Sequence, residues 1–231
     1  VDWTSGSLQP INAFNPVYGN SSISYYNPTS YLRRLEQTGV YLQDLIEMDK
    51  WRFSLGLRQD WVETSDENRI AETSRPVGTE ISDKRTKLTG RAGALYLFDN
   101  GVAPYVSYSE SFNPNSYSDS AGNPLAPTDG TQWEVGLKYQ PHNFNGFFTL
   151  ALYDLKQSNV LVTDPVHIDF YTQTGGIRSR GIELEAHVDL TRNLNIIAAY
   201  TYQDVAYTRG SGDLTGERPI AVPKQTFSVW G

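Results

Sequence analysis

The chain has 231 residues, 39% of them hydrophobic, with 15 Tyr, 9 Phe, 5 Trp, no cysteine and a formal net charge of −7. The missing cysteines exclude disulfides, thiolate metal sites and thiol nucleophiles, and an acidic chain without a basic patch argues against nucleic acid as a partner. No run of about eighteen apolar residues occurs, so a transmembrane helix is excluded, although the mean hydropathy of −0.47 taken alone reads as soluble.

Length alone fits one domain of about 200–250 residues or two smaller ones. The first residues carry neither a basic n-region nor an apolar h-region. Val1–Thr4 reads as the end of a strand, and an aromatic-rich segment with Phe14, Tyr18, Tyr25, Tyr26 and Tyr31 follows. Gln37–Met48 is the first clear strand, and Asp49-Lys50 turns it into Trp51–Val62. In that second strand Trp51, Phe53, Leu55, Leu57 and Trp61 share one face, and Arg52, Ser54, Gly56, Arg58 and Asp60 share the other. Strict alternation is strand periodicity. A two-residue turn pairs Met48 with Trp51 and Glu47 with Arg52, which sets apolar against apolar outside and acid against base inside. Asp44 dissents, falling on the apolar face, and a bulge or a shifted register is expected there.

Lys87–Phe98 and Val102–Ser111 are joined by Asp99-Asn100-Gly101, a hairpin turn in which glycine supplies φ > 0. Leu88, Ala92, Ala94, Tyr96, Phe98, Val102, Val106 and Tyr108 are expected to face out, and Arg91, Ser107, Ser109 and Ser111 in. Pro104 lacks an N–H for the ladder, so it is expected at a bulge or where the missing donor does no harm. Gln132–Gln140 alternates Trp133, Val135, Leu137 and Tyr139 with Glu134, Gly136 and Lys138. After the Pro141–Gly146 turn, Phe147–Lys156 is apolar on both faces and its orientation stays open. Ile177–Leu190 sets Ile182, Leu184, Ala186 and Val188 against Gly181, Glu183, Glu185 and His187. Past Thr191-Arg192-Asn193, Leu194–Gln203 turns Leu194, Ile196, Ala198, Tyr200 and Tyr202 outward. Lys224–Gly231 reads as a ninth strand cut short.

Tight turns at one end alternate with long connections at the other, roughly Glu63 to Thr86, Phe112 to Gly130, Gln157 to Ile177 and Asp204 to Val222. Short turns, long loops and strands of about ten residues with period two mark an antiparallel transmembrane β-barrel. Such strands are only half apolar, which explains the low hydropathy. The aromatic count fits interfacial girdles. About eight complete strands plus stubs, beginning and ending in mid-strand, point to part of a larger barrel, because unpaired sheet edges are not tolerated in lipid.

The strings QTGVYLQD with WRFSLGLRQDW, LTGRAGALYLFDNGVAPYVSYSESFNP, QWEVGLKY, GGIRSRGIELEA and AVPKQTFSVW resemble TonB-dependent siderophore receptors, most closely the ferric hydroxamate (ferrichrome-type) group, from about Asn12 to the end. The resemblance implies a 22-stranded barrel in the bacterial outer membrane with an N-terminal plug inside it. It implies uptake of an Fe(III)-siderophore driven by TonB with ExbB and ExbD, with phages or colicins as further partners at the outer loops. On this reading residues 1–231 are part of the barrel domain, and the plug and the remaining strands are absent. No cofactor is implied, since the iron is cargo.

The siderophore already holds its iron, so a receptor needs aromatic faces and hydrogen-bond donors rather than metal ligands. Phe14, Tyr18, Tyr25, Tyr26 and Tyr31 are therefore the candidate ligand contacts, Phe14 and Tyr18 foremost, against the plainer reading that the rings fold the loop on itself. Phe112, Tyr117, Phe170 and Tyr171 read as loop packing. His167 and Asp169 lie two apart, but His142 and His187 are distant, and catalytic metal sites usually need three protein ligands; no metal site is expected. Glu183 and Glu185 could pass for a paired-carboxylate acid-base site. With Arg178 and Arg180 assigned to the same face, they read instead as a lumenal charge ladder. Gly210–Gly216 lacks the Lys-Ser/Thr of a phosphate loop, and Asn20-Ser21-Ser22 is a common chance triplet. No nucleophile–base pair survives, so no enzyme is expected. The rival readings are a soluble β-sandwich carbohydrate-binding module, a passive porin and, more weakly, a barrel enzyme. A bare Trp51–Phe53–Leu55 row separates the first from a membrane barrel. In the complete receptor Tyr18→Ala is expected to weaken siderophore affinity, and unchanged affinity by titration removes Tyr18 from the site.

Overall fold

The computed structural model describes residues 31–69, 76–167, 170–209 and 214–231. They form one antiparallel sheet whose strands pair in chain order. The strands are β1 (Tyr31–Met48), β2 (Trp51–Asn68), β3 (Glu80–Tyr96), β4 (Val102–Asn113), β5 (Thr128–Tyr139), β6 (Gly146–Thr163), β7 (Tyr171–Thr191), β8 (Leu194–Arg209) and β9 (Gln225–Trp230). No helix among the described residues is long and apolar enough to cross a membrane. The sheet is a single layer. Trp51 and Leu55 remain 41% and 48% exposed, so among the described residues no second sheet covers the row that a β-sandwich would bury.

The register follows from alternation. Met48 faces Trp51 and Glu47 faces Arg52, as the two-residue turn requires. Trp51, Phe53 and Leu55 then face Tyr96, Ala94 and Ala92 on β3, and Ala92 and Ala94 face Tyr108 and Val106 on β4. The outer face is thus continuous across strands. It also orients β6, because Val135 meets Leu152 and Leu137 meets Leu150. Gly101 adopts φ 84° in the β3–β4 turn, and its N–H donates to Phe98 O at 3.1 Å. Pro104 causes no bulge. The β3–β4 ladder ends at Leu95–Tyr105, one residue short of it, and the β4–β5 register runs through it unshifted.

Aromatic rings mark two levels on the outer face. Near the short turns Trp51 stacks on Phe53 at 5.7 Å and meets Tyr96 at 5.0 Å, while Tyr139 lies beside Phe148 at 6.1 Å. Toward the long loops Tyr108 meets Trp133 at 4.9 Å, and Trp61 stands ten positions after Trp51 on the same face. Ten residues at roughly 3.3 Å each, tilted by about 40°, span about 25 Å, the height of an apolar barrel band.

Three expectations need correction. Asp44 sits in no bulge: it pairs with Leu55 in an unbroken register and stays on the lipid face. A bulge would strand backbone groups in hydrocarbon, so the sheet keeps its ladder and carries the carboxylate. Arg178 and Arg180 do not share the lumenal face with Glu183 and Glu185. They stand an odd number of positions away, and Arg180 pairs with Asp154 and Arg178 with Lys156 on the outer face. There Arg178 is bidentate to the Asp154 carboxylate, and Arg180 Nε lies 3.5 Å from it. The strands are also longer than the apolar signal. β2 continues to Asn68, β3 begins at Glu80, β6 continues to Thr163 and β7 begins at Tyr171. Above the lipid both faces are wet and apolar alternation fades, yet backbone pairing continues.

The β3–β4 seam opens above Arg91. The Glu110 carboxylate fills the first missing ladder position, accepting from the Gly90 N–H at 2.9 Å and the Tyr108 hydroxyl at 2.9 Å. Lys87 Nζ spans the gap to Asp129 at 2.8 Å.

Leu55 lies mid-band, so Leu55→Arg is expected to destabilise the folded protein in lipid by about 2–4 kcal/mol. Asp44→Leu on the facing strand should be neutral or stabilising. Denaturant unfolding in bilayers checks both, and an Asp44→Leu protein that is clearly weaker would show that the carboxylate has a partner in the membrane.

Candidate functional site at the outer rim

The inner face is polar, as alternation demands. Asp60 is only 2% exposed; it accepts from Arg58 Nε at 2.8 Å and from Gln37 Nε2 at 2.7 Å. Farther round the wall the Tyr105 hydroxyl donates to Glu134 at 2.6 Å, and Gln132 Nε2 donates to the other carboxylate oxygen at 3.0 Å. Glu183 and Glu185 share this inner face: they pair with Ala151 and Thr149, which stand opposite Gly136 and Lys138.

At the long-loop end, aromatic and cationic groups converge. Tyr31 opens β1 opposite Asn68, and Arg33 follows on the same face opposite Asp66. The Arg33 guanidinium lies 5.1 Å from the Tyr31 ring centroid and 4.6 Å from that of Tyr117. Its Nε is 3.5 Å from the Asp66 carboxylate, which is buried at 3% exposure. Tyr117 in turn meets Tyr171 at 4.5 Å. A guanidinium against aromatic faces is attracted by the ring quadrupole, worth roughly 0.5–2 kcal/mol depending on desolvation.

The 114–127 connection brings Tyr117 there by folding on itself. Asn115 Oδ1 accepts from the Tyr117 N–H at 3.1 Å, and the Leu125 N–H donates to Tyr117 O at 2.9 Å. At the tip, Asp119 Oδ1 accepts from the N–H groups of Ala121 at 3.0 Å and Asn123 at 2.7 Å, and Oδ2 accepts from Asn123 Nδ2 at 2.9 Å. Partial burial pushes the Asp119 carboxyl up, and the donors from Asn123, Ala121 and Gly122 outweigh it, holding the group below its ordinary value.

Two wall residues fasten this loop. Gln173 on β7 reads Ala126 as a strand would: its Oε1 accepts from the Ala126 N–H at 3.0 Å and its Nε2 donates to Ala126 O at 2.5 Å. Asn159 on β6 adopts φ 57°, a region where Asn is enriched. Its carbonyl accepts from Gln173 Nε2 at 2.9 Å and Thr128 Oγ1 at 3.1 Å, and its amide donates to Pro127 O at 3.1 Å. One loop therefore touches β1 through Arg33 and β7 through Gln173.

Of the candidate contacts, Tyr31 lies in this cluster, while Phe14, Tyr18, Tyr25 and Tyr26 fall outside the described residues. Tyr117 and Tyr171 pack against each other as expected. Arg33, Gln173 and Asn159 escaped sequence reading. Arg33 carries a signal in hindsight, since it stands two positions from Tyr31, but only once β1 is known to begin there. His167 Nδ1 sits 3.4 Å from Asp164, and His142 Nε2 lies 2.8 Å from Asp99 O, in separate connections. Asp169, Asn20 and Gly210–Asp213 fall outside the described residues.

The family model described as TonB dependent receptor-like, beta-barrel matches residues 1–231. The ferrioxamine B receptor of Salmonella typhimurium (strain LT2) is 42% identical over 97% of this chain and 31% of its own length. The ferrichrome outer membrane transporter/phage receptor of Escherichia coli K12 is 40% identical over 97% of this chain and 30% of its own. The crystal structure of the siderophore receptor PiuA from Acinetobacter baumannii superposes with a TM-score of 0.71 at 26% identity, covering 87% of this chain and 31% of that one. The chain spans about a third of the length of the curated relatives it matches. An alternating wall that is apolar outside and polar inside, with a folded aromatic loop at its long-loop rim and a family match along the whole sequence, places this chain in the TonB-dependent receptor β-barrel family.

Proposed function

We propose that the chain forms an arc of wall and rim of an outer-membrane receptor that takes up a ferric siderophore of the hydroxamate type. The matched relatives named for ferrioxamine and ferrichrome support this reading. The observation that carries it is Arg33, held between Tyr31 and Tyr117 on the inner face of the rim. A ferric hydroxamate presents an organic shell with oxygens along its edge. Aromatic faces cover the shell, a guanidinium donates to the oxygens, and no protein atom needs to reach the iron. Phe14, Tyr18, Tyr25 and Tyr26 precede Tyr31 in sequence and belong to the same proposed contact set.

In this reading residues 1–231 supply part of the barrel domain, and a plug within the complete barrel passes force from TonB, ExbB and ExbD. The chain contributes no catalysis and holds no resident cofactor. Phages or colicins dock on the same rim loops; the Escherichia coli relative is itself named as a phage receptor.

In cells carrying the complete gene, Arg33→Ala and Tyr117→Ala are each expected to raise the Kd for a ferric hydroxamate about tenfold, or 1.4 kcal/mol. Deleting TonB should abolish uptake and leave binding intact. Wild-type cells that bind no ferric hydroxamate would overturn the substrate class, and TonB-independent uptake would overturn the energy source. The Asp119 carboxyl is depressed in the folded loop, so its contribution is present above the unfolded value, near 3.9, and lost as pH falls through the folded value. The protection of the Ala121 and Asn123 amides relative to their intrinsic exchange rates should therefore hold at neutral pH and fall in acid below about pH 4, and Asp119→Ala should lower it throughout.

A further inference from the structure

Four long inward side chains, Arg58, Arg91, Tyr105 and Tyr153, lie along the wall rather than standing up from it. Each passes over a glycine on an adjacent strand and ends on a polar partner beyond it. Arg91 stands directly opposite Gly56. A Cβ added at Gly56 would meet Arg91 Nε at 2.7 Å and Cγ at 2.9 Å, and the Arg91 guanidinium continues to Gln43 Oε1 on β1. Arg58 crosses Gly39, where a Cβ would lie 2.6 Å from Arg58 Cζ, and ends on Asp60 at 2.8 Å. Tyr105 lies opposite Gly136; a Cβ there would meet the ring at 2.7 Å, and the hydroxyl ends on Glu134 at 2.6 Å. Tyr153 lies opposite Gly181; a Cβ there would meet the hydroxyl at 2.6 Å, and the Tyr153 hydroxyl lies 3.4 Å from Ser179 Oγ.

Glycine within a strand weakens it unless another group comes close to the backbone at that point. Four occurrences with the same construction, on β1, β2, β5 and β7, need a common cause. Stability alone would be served as well by an ordinary cross-strand pair of side chains, each worth roughly 0.2–1 kcal/mol. What the glycine adds is depth: a long polar side chain can be satisfied without standing up from the wall.

We infer that Gly39, Gly56, Gly136 and Gly181 are positioning residues for transport, seats that hold Arg58, Arg91, Tyr105 and Tyr153 flat against the wall and so leave room beside the plug for cargo to pass. This rests on the proposed receptor function. The seats act on movement through the barrel and not on capture at the rim, so their loss separates uptake rate from affinity.

Gly56 gives the cleanest test, because the atoms nearest its added Cβ all belong to the Arg91 side chain, whereas at Gly136 and Gly181 a backbone carbonyl is also close. In the complete receptor, Gly56→Val should lower the maximal uptake rate of a ferric hydroxamate about tenfold per folded receptor while leaving its Kd within about twofold. Gly56→Val combined with Arg91→Ser should recover most of the rate, a non-additivity that reports direct coupling. Folded receptor is counted by heat-modifiable gel mobility. Gly39→Ala, which meets Arg58 and Asp60 side-chain atoms, serves as the second variant if Gly56→Val does not assemble, with a reduced rate at unchanged Kd again expected. Unchanged uptake in the assembled variant, a matching loss of affinity, or a double variant no faster than Gly56→Val overturns the inference. A wild-type receptor that neither binds nor imports the ferric hydroxamate overturns the receptor reading instead.

Discussion

Hydrocarbon offers no hydrogen-bond partner, so every peptide group between the two aromatic levels must be satisfied by a neighbouring strand. The rest of the structure follows from that constraint. It keeps β1 and β2 in one register from Tyr31–Asn68 to Met48–Trp51, even though this leaves Asp44 facing lipid. A carboxylate on the surface costs less than the peptide groups a bulge would strand. It also places Pro104 beyond the end of the β3–β4 ladder. Where the β3–β4 seam opens, a side-chain carboxylate, Glu110, takes up the Gly90 N–H.

Alternation converts this backbone constraint into two chemistries. The outer face carries Trp51, Phe53 and Leu55 against Tyr96, Ala94 and Ala92. The inner face carries Arg58, Asp60, Glu134 and Tyr105, each with a partner on the wall. A side chain on the wrong face would be an unpaired charge in lipid or an apolar group in water. Register is therefore specified far more strongly here than in a sheet with two polar faces.

The same physics decides what was legible in the sequence. Within the band, one face must be apolar, so the Met48–Trp51 pairing, the outward row of β2 and the Asp99-Asn100-Gly101 turn could be read directly. Above the band both faces meet water and the signal disappears, although β2 still runs to Asn68 and β7 already starts at Tyr171. That is why Tyr31 reads as loop yet opens β1. Arg178 and Arg180 were misplaced for a different reason. Charge suggested the lumen, but parity with Ile182 puts them outside, where both engage the Asp154 carboxylate. The rim was the least legible part. The contact of Gln173 with Ala126 joins residues 47 apart, and nothing in local pattern foretells a side-chain amide imitating a strand.

The rim and the wall solve opposite problems with similar residues. At the rim Arg33 rests between Tyr31 and Tyr117, with the loop held from β6 and β7, so aromatic and cationic surface is gathered at the mouth of the bore. Lower down Arg91 and Tyr105 are laid over glycines and drawn away from it. The difference lies in the backbone opposite. Arg33 faces Asp66 on β2, its ion-pair partner, while Arg91 faces Gly56, which has no side chain. In the receptor proposed above, groups would be gathered where the ligand is held and withdrawn along the wall with no change in residue type.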